Sequence, residues 1–293
     1  MTAQHTRSDD AVLVFERRRR DARRAGRMRE ILFVALFSLA VVGAAYVGEA
    51  SIQNFVEGLP GIANYIGETL PVLRPTHLVE DVGEWYWGFV RWSGYLFDTV
   101  LIAFLGTFLG AAGAFLLCFP ASRNLIRSAT LYFVTRRLLE FARAVPELVY
   151  AMIFVFAFGL GPFPGVLAIA IHTVGALGKL FSEVNENADP RPLDAVRAAG
   201  GSWPQMIRFG VLPQVLPNFA SYALLRFEIN VRSAAVIGFV GAGGIGQELM
   251  FVIRQFVYTD ISAIVLMIVC CVIAIDLASE WMRHRFIGKE GIL

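Results

Sequence analysis

The sequence predicts an all-α polytopic membrane protein with about six transmembrane helices. Its 293 residues are 56% hydrophobic, with a mean hydropathy of +0.59, which is more apolar than one soluble core requires. The apolar residues form long runs, and the loops between these runs alternate between basic and acidic. Such alternation is typical of loops that lie on opposite sides of a membrane.

The first 30 residues form a basic arm that contains two clusters of arginines. The arm is interpreted as the cytoplasmic flank of the first span, and a nucleic-acid-binding tail is the alternative. Residues 31–48 are nearly uncharged and long enough to be a first transmembrane anchor. A signal peptide is disfavoured because the apolar run is long and no clear cleavage site follows it.

Residues 49–92 are acidic, with six carboxylates against Arg74 and Arg91. The stretch also carries aromatic residues close to the next apolar run: Trp85, Tyr86, Trp87 and Trp92. This composition predicts a periplasmic loop with one interfacial helix and an aromatic belt at the return to the membrane.

Residues 93–286 form the predicted transmembrane core. Its spans are expected at 93–119, 144–160, 165–181, 214–240 and 258–282, with a cytoplasmic loop at 184–214 and a cytoplasmic tail at 287–293. Segment 128–143 is amphipathic and is interpreted as an interfacial extension of the next span. The pair Gly106 and Gly110 predicts close helix packing in lipid. Both termini are therefore expected in the cytoplasm.

The polar loop between the fourth and fifth spans carries strong helix signals. Asp189 and Pro190 predict a capped helix start, and Gly200 with Gly201 predicts a left-handed end. Ser202 and Gln205 have the spacing of a capping box, and Pro213 is expected to end the second helix. The loop is thus predicted to be a helix, a sharp corner and a second helix.

The first of these helices carries small side chains on one face, namely Ala195, Ala198 and Ala199. Such side chains fill little of a core but let the groove of another protein approach the backbone. The loop is interpreted as a docking plug.

Charged residues inside the spans recur at helical spacing: Arg143 with Glu147, Lys179 with Glu183, and Glu228 with Arg232. Ion pairs that fix helix contacts explain this spacing without any transport role. The alternative hypothesis is a path on which Arg232 helps an anion to cross, and its candidate residues are Arg226, Asn230, Arg232, Gly241, Gly243 and Gly244. His172, alone in its span, is interpreted as a core histidine.

Residues 241–246 match the dinucleotide pattern G-x-G-x-x-G, but no strand precedes them in a βαβ unit. The segment is interpreted either as a packing bend or as a flexible bend at the outer mouth. Cys118, Cys270 and Cys271 are expected to be buried small apolar residues. The sequence shows no catalytic set, no metal spacing and no phosphate-binding loop, so a membrane-embedded enzyme is disfavoured. A secondary transporter remains the other rival.

The polar loop between the fourth and fifth spans also carries a motif with defined spacing. Asp194-Ala195-Val196 is followed by three residues, Gly200, nine residues, and then a position that precedes Val211-Leu212-Pro213. This pattern resembles the cytoplasmic EAA loop of ABC importer permeases. Asp194, Val196 and Gly210 depart from the consensus. Residues 143–179 and the segments after them resemble the phosphonate-type branch, and this likeness extends from about residue 96 to residue 286.

The resemblance implies a type I ABC importer permease fold in a bacterial inner membrane. It implies a homodimer that works with two ATP-binding cassette subunits, which bind ATP and Mg, and with a periplasmic solute-binding protein. No cofactor is expected in this chain, and no nucleic acid as a partner. The implied cargo is a phosphonate or a related phosphorus oxyanion, such as phosphite or phosphate. The implied contacts with the ATP-binding subunit are Asp194, Ala195, Val196, Ala198, Ala199, Gly200, Gly201, Ser202 and Trp203.

Overall fold

The computed structural model of the chain describes residues 2–287, and these form helices joined by short connections. The chain divides into two compact units, residues 1–67 and 68–293. Most of the predicted tail, 287–293, lies outside the described residues.

The first unit contains α1 (Thr2–Val47) and most of α2 (Ile52–Thr69). Helix α1 runs without a break through both the basic arm and the anchor, and its apolar part, Gly26–Val47, is long enough to cross a membrane. Helix α2 is amphipathic and has no buried residue. One helix was predicted in residues 49–92, whereas the structure has two, α2 and α3 (Leu78–Trp85).

Hydrogen bonds from Arg74, Trp85 and Trp87 fix α3 within the second unit. The Arg74 guanidinium donates to the buried Asp81 carboxylate at 2.6 Å, and this hydrogen bonding keeps the pKa of Asp81 below its usual range. The indole of Trp85 donates to the Thr259 carbonyl and that of Trp87 to Asp260, each at 3.1 Å. These bonds join α3 and the start of α4 (Phe89–Cys118) to the first turn of α12 (Tyr258–Ile287).

A sharp bend lies at the start of the predicted span 144–160. Helix α5 (Ala129–Ala144) and helix α6 (Glu147–Phe158) meet at an angle of 86°. Pro146 explains the break, because a residue before proline is driven to an extended backbone, as Val145 is. The expected pair of Arg143 with Glu147 is therefore wrong, since the two residues lie on different helices.

Helix α7 (Pro162–Glu186) packs along α4. A Cβ atom added to Gly106 would lie 2.6 Å from Ile169, and one added to Gly110 would lie 2.5 Å from Thr173. The predicted close packing at this glycine pair is confirmed, because only a hydrogen fits at either position.

The rest of the chain returns through α8 (Pro190–Ala198), the single turn α9 (Trp203–Gln205), a π-helical turn at Met206–Val211 and α10 (Leu212–Ile237). A 3₁₀ turn at Gly238–Val240 and a glycine bend lead to α11 (Ile245–Arg254), which the sequence did not predict, and then to α12. Within the described residues, four helices are long and apolar enough to span a membrane, and six spans result if each of two bent pairs counts as one. This agrees with the predicted all-α membrane fold of about six spans.

The core of the second unit consists of three apolar clusters. The cluster beside α8 is centred on Phe181 and Phe219, whose rings stack 4.0 Å apart. Cys118 is buried there, as expected. Cys270 is exposed on α12 instead, so the expectation that all three cysteines are buried is wrong.

Candidate functional site

The polar loop predicted as a corner between two helices spans residues 189–211 and is called the elbow below. Asp189 caps α8, and its carboxylate accepts a hydrogen bond from the Arg191 backbone N–H at 3.0 Å. The Gln214 side chain holds Asp189 from behind, since its amide oxygen accepts from the Asp189 N–H at 3.0 Å. The predicted start of this helix is confirmed.

The corner of the elbow depends on two adjacent glycines. Gly200 has a φ of +79°, in the left-handed region, with open space around it. A Cβ atom on Gly201 would lie 2.5 Å from Val196 Cγ1. The backbone N–H of Ser202 then donates to the Gln205 side chain at 2.7 Å, and the predicted capping box of Ser202 with Gln205 is confirmed.

The expectation that Pro213 ends the second helix is wrong, because the helical backbone runs on from Trp203 into α10. The π-helical turn at Met206–Val211 lies immediately before this proline, and such wide turns re-route hydrogen bonds within a helix. Leu212 keeps helical backbone angles although a proline follows it.

Gly210 explains how the elbow is anchored. A Cβ atom on Gly210 would lie 3.0 Å from the Cα of Leu193, so the missing side chain lets α8 approach the π-helical turn. Leu193 is buried in the core cluster beside α8, with Ile207 and Val211. Leu193 is thus the buried residue that fixes α8, while most of the other residues of this helix are exposed.

The exposed surface of the elbow contains most of the predicted contact residues. Seven are exposed in this chain: Asp194, Ala195, Ala198, Ala199, Gly200, Ser202 and Trp203. Val196 and Gly201 are half-buried at the corner. The Trp203 indole donates to the Leu125 carbonyl at 2.9 Å and so ties the elbow to the connection between α4 and α5.

The intramembrane residues of α10 divide between two faces of the helix. Arg226 contacts Glu147 of α6 and His172 of α7, and His172 Nδ1 lies 2.8 Å from Glu147 Oε1. Asn230 is buried and donates to Thr107 and Thr173 at 2.8 and 2.9 Å. Both residues therefore hold helices together, and Asn230 does not lie beside Arg232.

Arg232 and Glu228 lie on the other face of α10, toward α12. They form the predicted pair at 2.8 Å, and Arg232 also lies 3.5 Å from Asp276. The Arg232 side chain is 51% exposed and lines a shallow cleft of about 320 Å³ with Ser233 and Glu147. The other predicted pair, Lys179 with Glu183, is present at 3.6 Å.

The glycine bend, residues 238–246, is closely packed. Gly241, Gly243 and Gly244 all have φ between +74° and +86°. Gly243 and Gly244 are buried against Pro162 and Thr99, while Gly241 borders a surface cleft. Of the two interpretations of this segment, the structure favours the packing bend.

Helical spacing in the sequence does not group Glu147, His172 and Arg226, because it relates only residues of one helix and these three lie on three helices. The lone histidine was the available signal, since a polar ring in an apolar span needs a partner. Among the described residues, no three His, Cys, Asp or Glu side chains are placed to hold a metal ion.

Comparison with known proteins bears directly on the elbow and the helices around it. Residues 106–289 match the family described as the inner membrane component of binding-protein-dependent transport systems. The chain is 38% identical over 262 residues to the phosphite transport system permease protein PtxC of Stutzerimonas stutzeri, covering 89% of this chain and 91% of that protein. It is 39% identical over 187 residues to the phosphate-import permease protein PhnE of Mycolicibacterium smegmatis, covering 64% of this chain and 35% of that protein.

The fold of the chain also resembles that of solved ABC transporter structures. The inward-facing MetNI methionine ABC transporter superposes with a TM-score of 0.56 over 68% of this chain and 96% of that one, at 20% identity. This likeness shows the type I importer permease fold. The chain therefore belongs to the inner membrane components of binding-protein-dependent transport systems, and it is a multi-pass ABC importer permease of the phosphonate type.

Proposed function

We propose that the chain is the membrane-spanning subunit of an ATP-driven importer for phosphite or a related phosphorus oxyanion, phosphate and phosphonates included. The observation that carries this proposal is the match along nearly the whole length of both chains to a protein named as a phosphite permease. The match includes the elbow and the charged face of α10. Another small solute is the alternative cargo.

The elbow is the proposed contact with the motor. Two ATP-binding cassette subunits would bind ATP and Mg, each taking the exposed alanine face of one α8 into a cleft. Two copies of this chain would form the pore, and a periplasmic solute-binding protein would deliver the cargo. Closure of the ATP-binding subunits would pull the elbows together and open the pore outward, and hydrolysis would reset it. The packing of Leu193 in the core cluster beside α8 supports this role. Because of this packing, a movement of α8 would be transmitted to α10.

The proposed path for the anion follows the half-exposed face of α10. Arg232 is the candidate cationic contact, because its guanidinium is 51% exposed and reaches the cleft beside Ser233. Arg226 and Asn230 would shape the path by fixing α6, α7 and α4 around α10, since Arg226 contacts Glu147 and the Asn230 amide donates to Thr107 and Thr173. The outer end of α10 would be fixed by the glycine bend that follows it, which contains Gly241, Gly243 and Gly244.

The proposed orientation places both termini and the elbow in the cytoplasm of a bacterial cell, with α2 and α3 on the periplasmic side. The arginines that flank the elbow end of the spans support this orientation. The lipid bilayer covers the exposed apolar faces, and nucleic acid has no part in the proposal. This chain would carry no cofactor and catalyse no reaction, so ATP hydrolysis would require the partner subunits.

Uptake of radiolabelled phosphite, phosphate and methylphosphonate into proteoliposomes that contain the complete complex tests the proposal. We expect ATP-dependent uptake of at least one of them, and no ATP hydrolysis by this chain alone. Replacing Arg232→Gln should reduce uptake by about tenfold or more while assembly is kept, because a charge-assisted hydrogen bond contributes about 1.5–3 kcal/mol. Uptake without nucleotide would favour a secondary transporter, and unchanged uptake by the variant would exclude the Arg232 path.

A further inference from the structure

A basic cleft of about 690 Å³ lies beside the elbow, between the connection that follows α4 and the elbow itself. Its cationic side chains come from both sides, with Arg123 and Arg127 from the connection and Arg197 from α8. Its floor is apolar and includes Leu125, Ile126, Leu131 and Met206, with the Trp203 ring at the edge.

The arginines of the connection are available to bind an anion. Both Arg123 and Arg127 are exposed, and in the part of the chain that the structure describes neither guanidinium forms an ion pair. The nearby acids are engaged elsewhere, since Glu186 accepts from the Arg123 backbone N–H and pairs with Arg136, and Asp194 pairs with Arg197 at 2.9 Å. The cleft therefore carries a net positive charge.

The cleft is also rigid. The Trp203 indole donates to the Leu125 carbonyl at 2.9 Å, and the Asn124 side chain donates to the Asn185 carbonyl at 2.8 Å. These two bonds fix the connection to the elbow and to the end of α7. An anion bound here would meet a formed site rather than two mobile loops.

The position of the cleft limits what can occupy it. Helix α4 is a 30-residue span that ends at Cys118, so the connection that begins one residue later lies at the membrane surface. Arginines and a tryptophan above apolar side chains are the combination found where a lipid headgroup meets its acyl chains.

We propose that this cleft binds the headgroup of an anionic phospholipid, with Arg123 and Arg127 on the phosphate and Trp203 and Leu131 against the glycerol and the first methylenes. The bound lipid would contact both the span α4 and the elbow. This assignment depends on α4 crossing the bilayer and does not depend on the identity of the transported solute.

The test uses the assembled transporter in nanodiscs made of phosphatidylcholine, with and without phosphatidylglycerol. Native mass spectrometry counts the phosphatidylglycerol that is retained after release from the nanodisc. The double variant Arg123→Gln with Arg127→Gln should bind it about 25-fold more weakly, since each basic side chain at an anionic surface contributes about fivefold. Phosphatidylglycerol should also raise the melting temperature of the wild type but not of the double variant, because a ligand stabilises only the state that it binds.

Two controls keep the result specific. Arg143→Gln removes one positive charge from an exposed position on α5 outside the cleft, and it should retain the lipid like the wild type, whereas Arg123→Gln or Arg127→Gln alone should each weaken retention. The double lysine variant keeps both charges and should retain the lipid within a few-fold.

Equal retention by wild type and double glutamine variant would overturn the proposal. So would equal stabilisation by inorganic phosphate in phosphatidylcholine alone, which would make the site one for a free anion. Phosphite uptake is measured separately, so loss of uptake with normal lipid retention would count against the transport function and not against the lipid site.

Discussion

The elbow and the glycine bend are both built on left-handed glycines, yet their surroundings are opposite. At the elbow, Gly200 has a φ of +79° and open space where a side chain would be. At the bend, a Cβ atom on Gly246 would lie 1.8 Å from the Ala235 carbonyl oxygen, and one on Gly243 would meet Pro162 at 3.0 Å. The contrast shows that Gly200 serves conformation alone, whereas the glycines of the bend also serve close packing. A turn with free space around it can receive a partner, and a filled turn cannot.

The largest expected effect separates these two roles. Gly246→Ala should destabilise the chain by about 3 kcal/mol or more, because the added methyl meets backbone that has no side-chain rotamer to relax. The yield of folded transporter and its melting temperature in detergent measure this loss. Gly58→Ala is the matched control, since a Cβ atom there has no neighbour within 4 Å. A Gly246→Ala variant that folds normally would show that the bend is less closely packed than described.

Gly200→Trp should act on transport more than on folding. A non-glycine residue at this φ costs about 1–2 kcal/mol, and the bulky ring would occupy the space left for the partner. We expect assembled protein with ATP-driven uptake reduced to background. Gly200→Asn is the control, because asparagine tolerates the left-handed conformation. Normal transport by the tryptophan variant would contradict a docking role for the corner.

The helices and the corner of the elbow could be predicted from the sequence, whereas the packing that anchors the elbow could not. Asp189, Gly200, Ser202 and Gln205 act within a few residues of one another, so local rules located the helix start and the corner. Gly210 acts on Leu193 of another helix, and that approach is visible only once the chain is folded. In the sequence Gly210 is only a departure from the family pattern, whereas in the structure it is the position at which α8 docks.

The charged residues also show that contacts within one helix are predictable from the sequence and that contacts between helices are not. Glu228 with Arg232 and Lys179 with Glu183 were predictable from helical spacing. The contacts of Arg226 with Glu147 and His172 join three helices. Pro146 separates the third pair that the spacing suggested, Arg143 with Glu147, onto two helices. Helix α11 was missed because it follows a glycine bend whose packing role no local pattern revealed.

A smaller effect is expected from the bond that joins the elbow to the connection after α4. Trp203→Phe keeps the ring but removes the donor to the Leu125 carbonyl, which should cost about 1 kcal/mol of stability. The melting temperature should fall by a few degrees while uptake is retained. Trp281→Phe, at a 62% exposed position on α12, provides the comparison. Identical melting temperatures for the two variants would mean that the indole bond adds nothing to the joint.

The smallest effect concerns the ion pair of Arg74 with Asp81, where the chain leads into α3. Since Arg74 keeps the pKa of Asp81 below its ordinary value, the pair stabilises the fold above about pH 4 and loses this contribution as the pH falls through the lowered pKa. The melting temperatures of wild type and Asp81→Asn should therefore differ at neutral pH and converge in acid. A difference that grows as the pH falls would contradict this assignment.

Cysteine cross-linking in the assembled transporter tests the central claim, that the elbow is the part of this chain grasped by the ATP-binding subunit. Ala198→Cys is compared with Gln247→Cys, an exposed position beside the glycine bend, against a set of cysteines in the nucleotide-domain cleft of the partner. We expect cross-links from Ala198→Cys that change in yield on addition of ATP, and none from Gln247→Cys. Cross-links from Gln247→Cys alone would contradict it, because the motor would then lie at the other end of the helices.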